Sequence, residues 1–99
     1  MEKNQVLKIL GEHKKELSLY GVKTIALFGS VAREEDSQKS DVDILVEFDY
    51  AQHKIGLFGF VRLQRRLEEL LGTKVDLATP GALKRQLKDN ILKEAIYAE

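Results

Sequence analysis

An Asp-Val-Asp triplet, residues 41–43, opens an apolar run that continues through Ile44, Leu45 and Val46. The run predicts a buried strand, and successive side chains of a strand alternate between its faces, so Asp41 and Asp43 point the same way. Two like charges at the mouth of a buried strand repel each other and lose hydration unless a cation lies between them. The triplet therefore predicts a strand that begins at a cation site. Mg²⁺ is the natural cation, because it binds carboxylate oxygens and keeps substrate phosphates as further ligands.

A Gly-Ser pair follows an earlier apolar run. Residues 22–28 are mostly apolar or β-branched, which predicts a strand covered on both faces, and Gly29 and Ser30 come directly after it. Glycine lets the backbone approach a ligand closely, and the start of a following helix offers free N–H groups. The pair is therefore a candidate phosphate site.

The remaining pattern predicts an alternation of helices and strands. Helices are expected over residues 3–20, 30–36, 57–71 and 80–96, and a third short strand over residues 74–78. Gly72 is the expected C-cap of the third helix, and Thr79-Pro80 is the expected start of the last one. At 99 residues we expect a single domain spanning residues 1–99. The predicted fold class is α/β (α+β), with a small mixed sheet of three or slightly more strands packed with about four helices.

A lone aspartate, Asp76, stands between Val75 and Leu77 in the third predicted strand. An aspartate in a buried strand is expected to be paired, metal-bound or at a strand end. Asp76 is therefore a candidate third carboxylate beside Asp41 and Asp43. The alternative is a strand-end aspartate bonded to local backbone.

The formal net charge of zero hides an uneven distribution. Residues 34–49 hold seven acids and one base, so this region is expected to attract cations. The bases elsewhere occur at helical spacing and are interpreted as solvated helix faces, with no direct nucleic-acid binding expected; an acidic-partner surface is the alternative. No apolar run approaches the roughly 20 residues that span a bilayer, and no signal-peptide core is present. We expect a cytoplasmic protein without membrane association, and a homo-oligomer stays open.

The segment Gly29-Ser30-Val31-Ala32-Arg33 and the later Ser40-Asp41-Val42-Asp43 together resemble the signature of minimal nucleotidyltransferases, which belong to the DNA polymerase beta-like superfamily. The family pattern is Gly-Ser-x-Ala-Arg-Gly, a short spacer, then Ser-Asp-x-Asp followed by apolar residues. Both halves are present at the usual separation, and the resemblance extends over the whole chain. It departs at Glu34, where the family usually has glycine, and this carboxylate adds negative charge close to the phosphate site.

The resemblance implies transfer of AMP from ATP to a hydroxyl with release of pyrophosphate, with ATP as substrate and Mg²⁺, as two ions, as cofactor. The implied residues are catalytic and metal-binding Asp41, Asp43 and Asp76, and phosphate-binding Gly29, Ser30 and Arg33. Asp76 either completes the metal site or activates the acceptor. Arg33 either neutralises phosphate charge or anchors the spacer through Glu35 or Asp36.

Members this small are similar to MntA-type antitoxins, which are encoded beside a HEPN-domain toxin. The resemblance implies a HEPN toxin as partner and one of its tyrosines as acceptor. A small domain leaves little surface for a second lobe, so a bound protein is expected to supply the acceptor itself. One alternative is a weak or inactive enzyme that neutralises its partner by binding alone. Another is a transferase for a small molecule such as an aminoglycoside, for which no acceptor pocket is evident.

Overall fold

The computed structural model describes residues 2–33, 41–51 and 55–98. Glu34, Glu35, Asp36 and Ser40 lie outside the described residues, together with the rest of the predicted spacer. The backbone of Ser30 is described and its side chain is not. Within the described residues, no helix combines the length and the apolar character needed to cross a membrane.

Four strands form one mixed sheet, which confirms the predicted fold class. They are β1 (Val22–Phe28), β2 (Val42–Phe48), β3 (Val75–Ala78) and β4 (Ile96–Tyr97), in the spatial order β3-β2-β1-β4. β1 runs antiparallel to both β2 and β4, whereas β2 and β3 are parallel. The parallel pair needs a crossover, which the long fourth helix supplies.

The helices are α1 (Lys3–Glu12), α2 (Lys14–Leu19), α3 (Gly29–Ala32), α4 (Leu57–Leu71) and α5 (Arg85–Glu94), with a 3₁₀ turn at Pro80–Ala82. α4 confirms the predicted limits: Gly72 ends it in the left-handed conformation, and its amide donates to the Glu68 carbonyl. Glycine adopts this conformation without the steric cost that a Cβ brings.

Three helix predictions were wrong in their limits. The predicted helix over residues 30–36 is α3, which begins at Gly29 and ends at Ala32, with Arg33 as its C-cap. The predicted helix over residues 3–20 divides at His13, whose backbone leaves the helical region and whose Nδ1 lies 2.8 Å from the Ile9 carbonyl oxygen. Leu10 of α1 and Leu17 of α2 are both buried in the core. The last helix begins at Arg85 and not at Pro80, because Lys84 is extended and Gly81 is a poor helix former.

The end of the predicted last helix is a strand. Ile96 and Tyr97 pair with Leu27 and Ala26 of β1, and the Ala98 amide donates to the Ile25 carbonyl at 3.0 Å. A β-branched and an aromatic residue suit a strand, and the pairing satisfies backbone groups along the edge of β1. No residue of α5 is buried, so packing does not extend the helix through these positions.

The core lies on one side of the sheet. Alternate residues of β2, Val42, Ile44 and Val46, contact a layer made by α1, α2 and α4 and are fully buried. The intervening β2 residues, including Asp43, point to the opposite side. The fold thereby separates an apolar face, closed by helices, from a face on which polar strand residues are accessible.

A bidentate ion pair ties α4 to α2 outside this core. The Arg66 guanidinium donates to both carboxylate oxygens of Glu16 at 2.8 and 2.9 Å, and to Glu69 at 3.3 Å. Hydrogen bonding with Arg66 lowers the pKa of Glu16 below its ordinary value of 4.5. A carboxyl whose native pKa is lowered stabilises the fold above its unfolded pKa, and this contribution disappears as pH falls through the native value.

We expect Arg66→Gln to lower the melting temperature by a small amount, since exposed ion pairs contribute little and are screened by salt. Thermal denaturation at neutral pH should show a larger decrease in melting temperature at low salt than at high salt. At a pH below the native pKa of Glu16, the substitution should cause no decrease. Arg62→Gln on the same helix is the control, because no described residue pairs with Arg62. Equal effects of the two substitutions would contradict this account.

Candidate active site

Two of the predicted site residues are direct neighbours across parallel strands. The register pairs Asp43 of β2 with Asp76 of β3, and Val42 with Val75. Because paired residues of adjacent strands point to the same face, both carboxylates lie on the side of the sheet opposite the helical core. Asp41 precedes β2 and is exposed. The sheet therefore brings together two carboxylates that are 33 positions apart in the sequence, with the third just before the strand.

The environment of Asp43 disfavours its charge. Burial raises the pKa of Asp43 above its ordinary value of 3.8, and the charges of Asp76 and Asp41 raise it further, whereas Arg33 lowers it. A hydrogen bond with Asp76 also favours the protonated form. A like-charge pair with partial desolvation is the arrangement that a bound cation relieves.

The turn after β1 is fitted against Asp43. Phe28 pairs with Asp43 across the antiparallel ladder, so Gly29 leaves the sheet beside this carboxylate. Gly29 has a φ of +77°, and a Cβ at this position would lie 2.8 Å from the Asp43 Cγ and 3.0 Å from its Cβ. Only glycine permits both the left-handed conformation and the close approach. The glycine that sequence analysis proposed for phosphate binding is thus also required by the shape of the site.

Arg33 connects this turn to the last helix. Its amide donates to the Gly29 carbonyl at 3.1 Å, and its Nη1 donates to Glu94 Oε2 of α5, also at 3.1 Å. Of the two alternatives for Arg33, anchoring through Glu35 or Asp36 falls outside the described residues. Glu94 was missed by sequence analysis, because no local pattern relates residues 61 positions apart.

The donor set fits the predicted metal by its chemistry. Asp41, Asp43 and Asp76 would offer Mg²⁺ the hard oxygen ligands it prefers, and a bound cation would relieve the repulsion that Asp76 and Asp41 exert on Asp43. Among the described residues, no group of three or more His, Cys, Asp or Glu side chains is arranged to hold a metal ion. The assignment of all three aspartates as ligands therefore stays a prediction.

The sequence matches the model of a family described as the nucleotidyltransferase domain over residues 5–98. A protein of Methanocaldococcus jannaschii, provisionally named a protein adenylyltransferase, is 45% identical over an alignment of 100 positions that covers 95% of each chain. The protein adenylyltransferase MntA of Thermococcus cleftensis is 42% identical over 94 residues, covering 94% of this chain and 92% of the relative.

Solved structures share the fold. One described provisionally as a minimal nucleotidyltransferase has a TM-score of 0.73 and 34% identity, covering 97% of this chain and 95% of its own. A toxin–antitoxin complex with AMP-PNP has a TM-score of 0.67 at 20% identity, covering 100% of this chain and 73% of its own. A complex of a tri-AMPylated HEPN toxin from Shewanella oneidensis with its MNT antitoxin has a TM-score of 0.65 at 19% identity, covering 95% and 71%. At these lower identities the likeness concerns the fold alone.

Proposed function

Because the chain belongs to the nucleotidyltransferase domain family, we propose that it transfers AMP from ATP to a tyrosine hydroxyl of a partner HEPN toxin and acts as its antitoxin. The observation that carries the proposal is the pairing of Asp43 with Asp76 directly beside the Gly29 turn. Nucleotidyl transfer needs metal-binding carboxylates next to a place for phosphates. We further propose that the whole chain works as one domain, in the cytoplasm.

In this proposal Asp41, Asp43 and Asp76 hold Mg²⁺ as two ions. The metal would neutralise charge that develops on the phosphate oxygens. The backbone after Gly29, together with Ser30, would bind the phosphates, and Arg33 adds a positive charge near Asp43. Arg33 is shared with Glu94, so its guanidinium is oriented before nucleotide arrives.

The reaction conserves charge and atoms without any further reactant. The tyrosine oxygen forms a bond to the α-phosphorus of ATP, the bond between the α-phosphorus and the bridging oxygen breaks, and pyrophosphate leaves. The phenolic proton passes to a base, either Asp76 or water. If Asp76 is the base, Asp41 and Asp43 are the remaining metal ligands.

The proposed partner is supported by the names of relatives. The Thermococcus relative is an MntA protein adenylyltransferase, and a fold neighbour is an MNT antitoxin in complex with an AMPylated HEPN toxin. A protein acceptor also agrees with the open surroundings of Asp43, since the acidic side of the sheet is not covered by the helical core.

The test is incubation of the protein with ATP labelled at the α-phosphate, Mg²⁺ and the HEPN-domain protein encoded by the adjacent gene. We expect label on a tyrosine of that protein, identified by peptide mass spectrometry, and no label when EDTA replaces Mg²⁺. Label that stays with ATP, under conditions where the two proteins form a complex, would refute transfer.

A binding antitoxin without catalysis is the alternative. It is favoured by Glu34, which stands where the family usually has glycine and adds a negative charge close to the phosphate-binding segment. This alternative predicts that a double variant, Asp41→Asn with Asp43→Asn, protects cells from the toxin as well as the wild type does.

A further inference from the structure

The helix α4 presents a continuous apolar and basic surface to solvent. Leu57, Phe58 and Val61 are 75%, 81% and 42% exposed, and they lie within the first five residues of the helix. Arg62 and Arg65 follow on the same face, because residues three and four apart are neighbours on a helix. Phe58, Val61, Arg62 and Arg65 therefore form one compact group over two turns. Together with Leu57 they are called the α4 surface below.

Among the described residues, the two arginines of this surface have no partner. No described residue forms an ion pair or accepts a hydrogen bond from Arg62 or Arg65. Their neighbour Arg66 differs sharply, since Glu16 and Glu69 satisfy it. Both arginines line an open hollow of about 500 Å³ between α4 and α2. Unpaired guanidinium groups beside exposed aromatic and aliphatic side chains are the composition of a protein interface.

We propose that the α4 surface docks the partner protein through a patch that combines apolar side chains with carboxylates. The inference rests on the proposed function, because it names the surface through which the acceptor protein is held. Neighbouring exposed apolar side chains with charged residues beside them are typical of protein interaction sites, and charge complementarity selects an acidic partner. Phe58 is the central anchor, and the arginines orient the complex by pairing with carboxylates.

The location of the surface has a functional consequence. The buried side of α4, with Leu63 and Leu67, packs on the face of the sheet that carries Val42 and Ile44. Asp43 and Asp76 point to the other face, so a partner docked on α4 leaves them open to ATP, and its acceptor tyrosine reaches them round the edge of the sheet. The fold thus assigns complex formation and nucleotide transfer to opposite sides of one sheet, and substitutions on α4 affect partner affinity without altering chemistry.

The test measures the affinity of the full chain for the adjacent-gene HEPN-domain protein by calorimetry. We expect Phe58→Ala to weaken binding about 10- to 100-fold, as loss of a central aromatic anchor does. A double variant, Arg62→Glu with Arg65→Glu, should weaken binding to a similar extent and remove most of its salt dependence. In transfer assays the α4 variants should raise the KM for the partner, while kcat at saturating partner stays unchanged.

Matched variants on α5 test whether another helix with exposed apolar and basic residues binds the partner instead. Leu87 is 53% exposed and Arg85 is exposed on that helix, so Leu87→Ala and Arg85→Glu remove the same side-chain types elsewhere. Both are expected to bind with wild-type affinity. Normal binding by the α4 variants, or weakened binding by the α5 variants alone, overturns the docking surface and leaves the proposed function intact. If the adjacent-gene HEPN-domain protein does not bind the wild-type chain, both the docking surface and the proposed function are overturned.

A second copy of the chain is the other occupant that the experiment distinguishes. Sedimentation of the protein alone should give a monomer for both the wild type and Phe58→Ala. A wild-type dimer that Phe58→Ala dissociates would show that α4 pairs with itself, and the proposal would be wrong. Circular dichroism melts of the variants should match the wild type, because the substituted side chains lie outside the core.

Discussion

Replacement of Asp43 by asparagine is expected to reduce nucleotide transfer by more than about 100-fold and, at the same time, to stabilise the metal-free protein. The loss of activity follows from the proposed role as a metal ligand, because even substitutions outside the first ligands of a metal typically cost about 10- to 100-fold. The gain in stability follows from the structure. Asparagine keeps the shape of the side chain and removes a partly buried charge that faces Asp76.

The pH dependence of this gain has a defined sign. Burial and the charges of Asp76 and Asp41 raise the pKa of Asp43 above 3.8, so the native state binds more protons than the unfolded state between these two values. Wild-type stability therefore falls as pH rises through this window. Asparagine does not titrate, so the advantage of the variant should be absent well below pH 3.8 and complete above the native pKa of Asp43.

Two measurements separate these effects. Thermal melts with EDTA should give a higher melting temperature for Asp43→Asn than for the wild type, and added Mg²⁺ should raise only that of the wild type. Glu47→Gln is the matched control, since Glu47 lies on the same face of β2, four residues further from the site, and should transfer nucleotide normally. A variant that is less stable than the wild type in EDTA would contradict the repulsion inferred at Asp43.

The parts of the fold that were predicted correctly are those in which the local sequence pattern is compatible with only one type of secondary structure. The apolar run before Gly29 and the run after Asp43 are too short and too β-branched for helices, and both are strands. α4 shows a full helical period and ends at a glycine. In each case the side chains that create the pattern are also those buried in the core.

The errors occurred where a long-range contact decides the outcome. Ile96 continues the helical spacing of α5, yet it pairs with Leu27 of β1, a contact between residues 69 positions apart in sequence. The ion pair of Arg33 with Glu94 is also a contact between residues distant in sequence, so no local pattern predicted it. For the site, the sequence supplied Asp76 as a third carboxylate, and the parallel register of β2 and β3 places it beside Asp43. Its role in metal binding or acceptor activation stays a prediction.

Substitution of Gly29 by alanine should damage both the fold and the activity. Alanine at a φ of +77° is disfavoured by about 1 to 2 kcal/mol, and overpacking against Asp43 adds about 1 to 3 kcal/mol. We therefore expect a loss of about 3 kcal/mol in the free energy of unfolding. The chain relieves the contact by moving the turn away from the Asp43 carboxylate. A displacement of about 1 Å in such a site costs roughly 100-fold in rate, which is the loss of transfer that we expect.

Gly72 provides a control that separates the cost of the contact with Asp43 from the conformational cost of alanine at a positive φ. Its φ is +68°, close to that of Gly29, but a Cβ there meets no atom within 4 Å. Gly72→Ala should therefore cost only the conformational term of about 1 to 2 kcal/mol and leave transfer unchanged. Urea denaturation of both variants gives the difference directly, and equal costs would refute the steric fit at Gly29. Combining Gly29→Ala with Asp43→Ala removes the colliding carboxylate, so the double variant should be more stable than the sum of the single losses predicts.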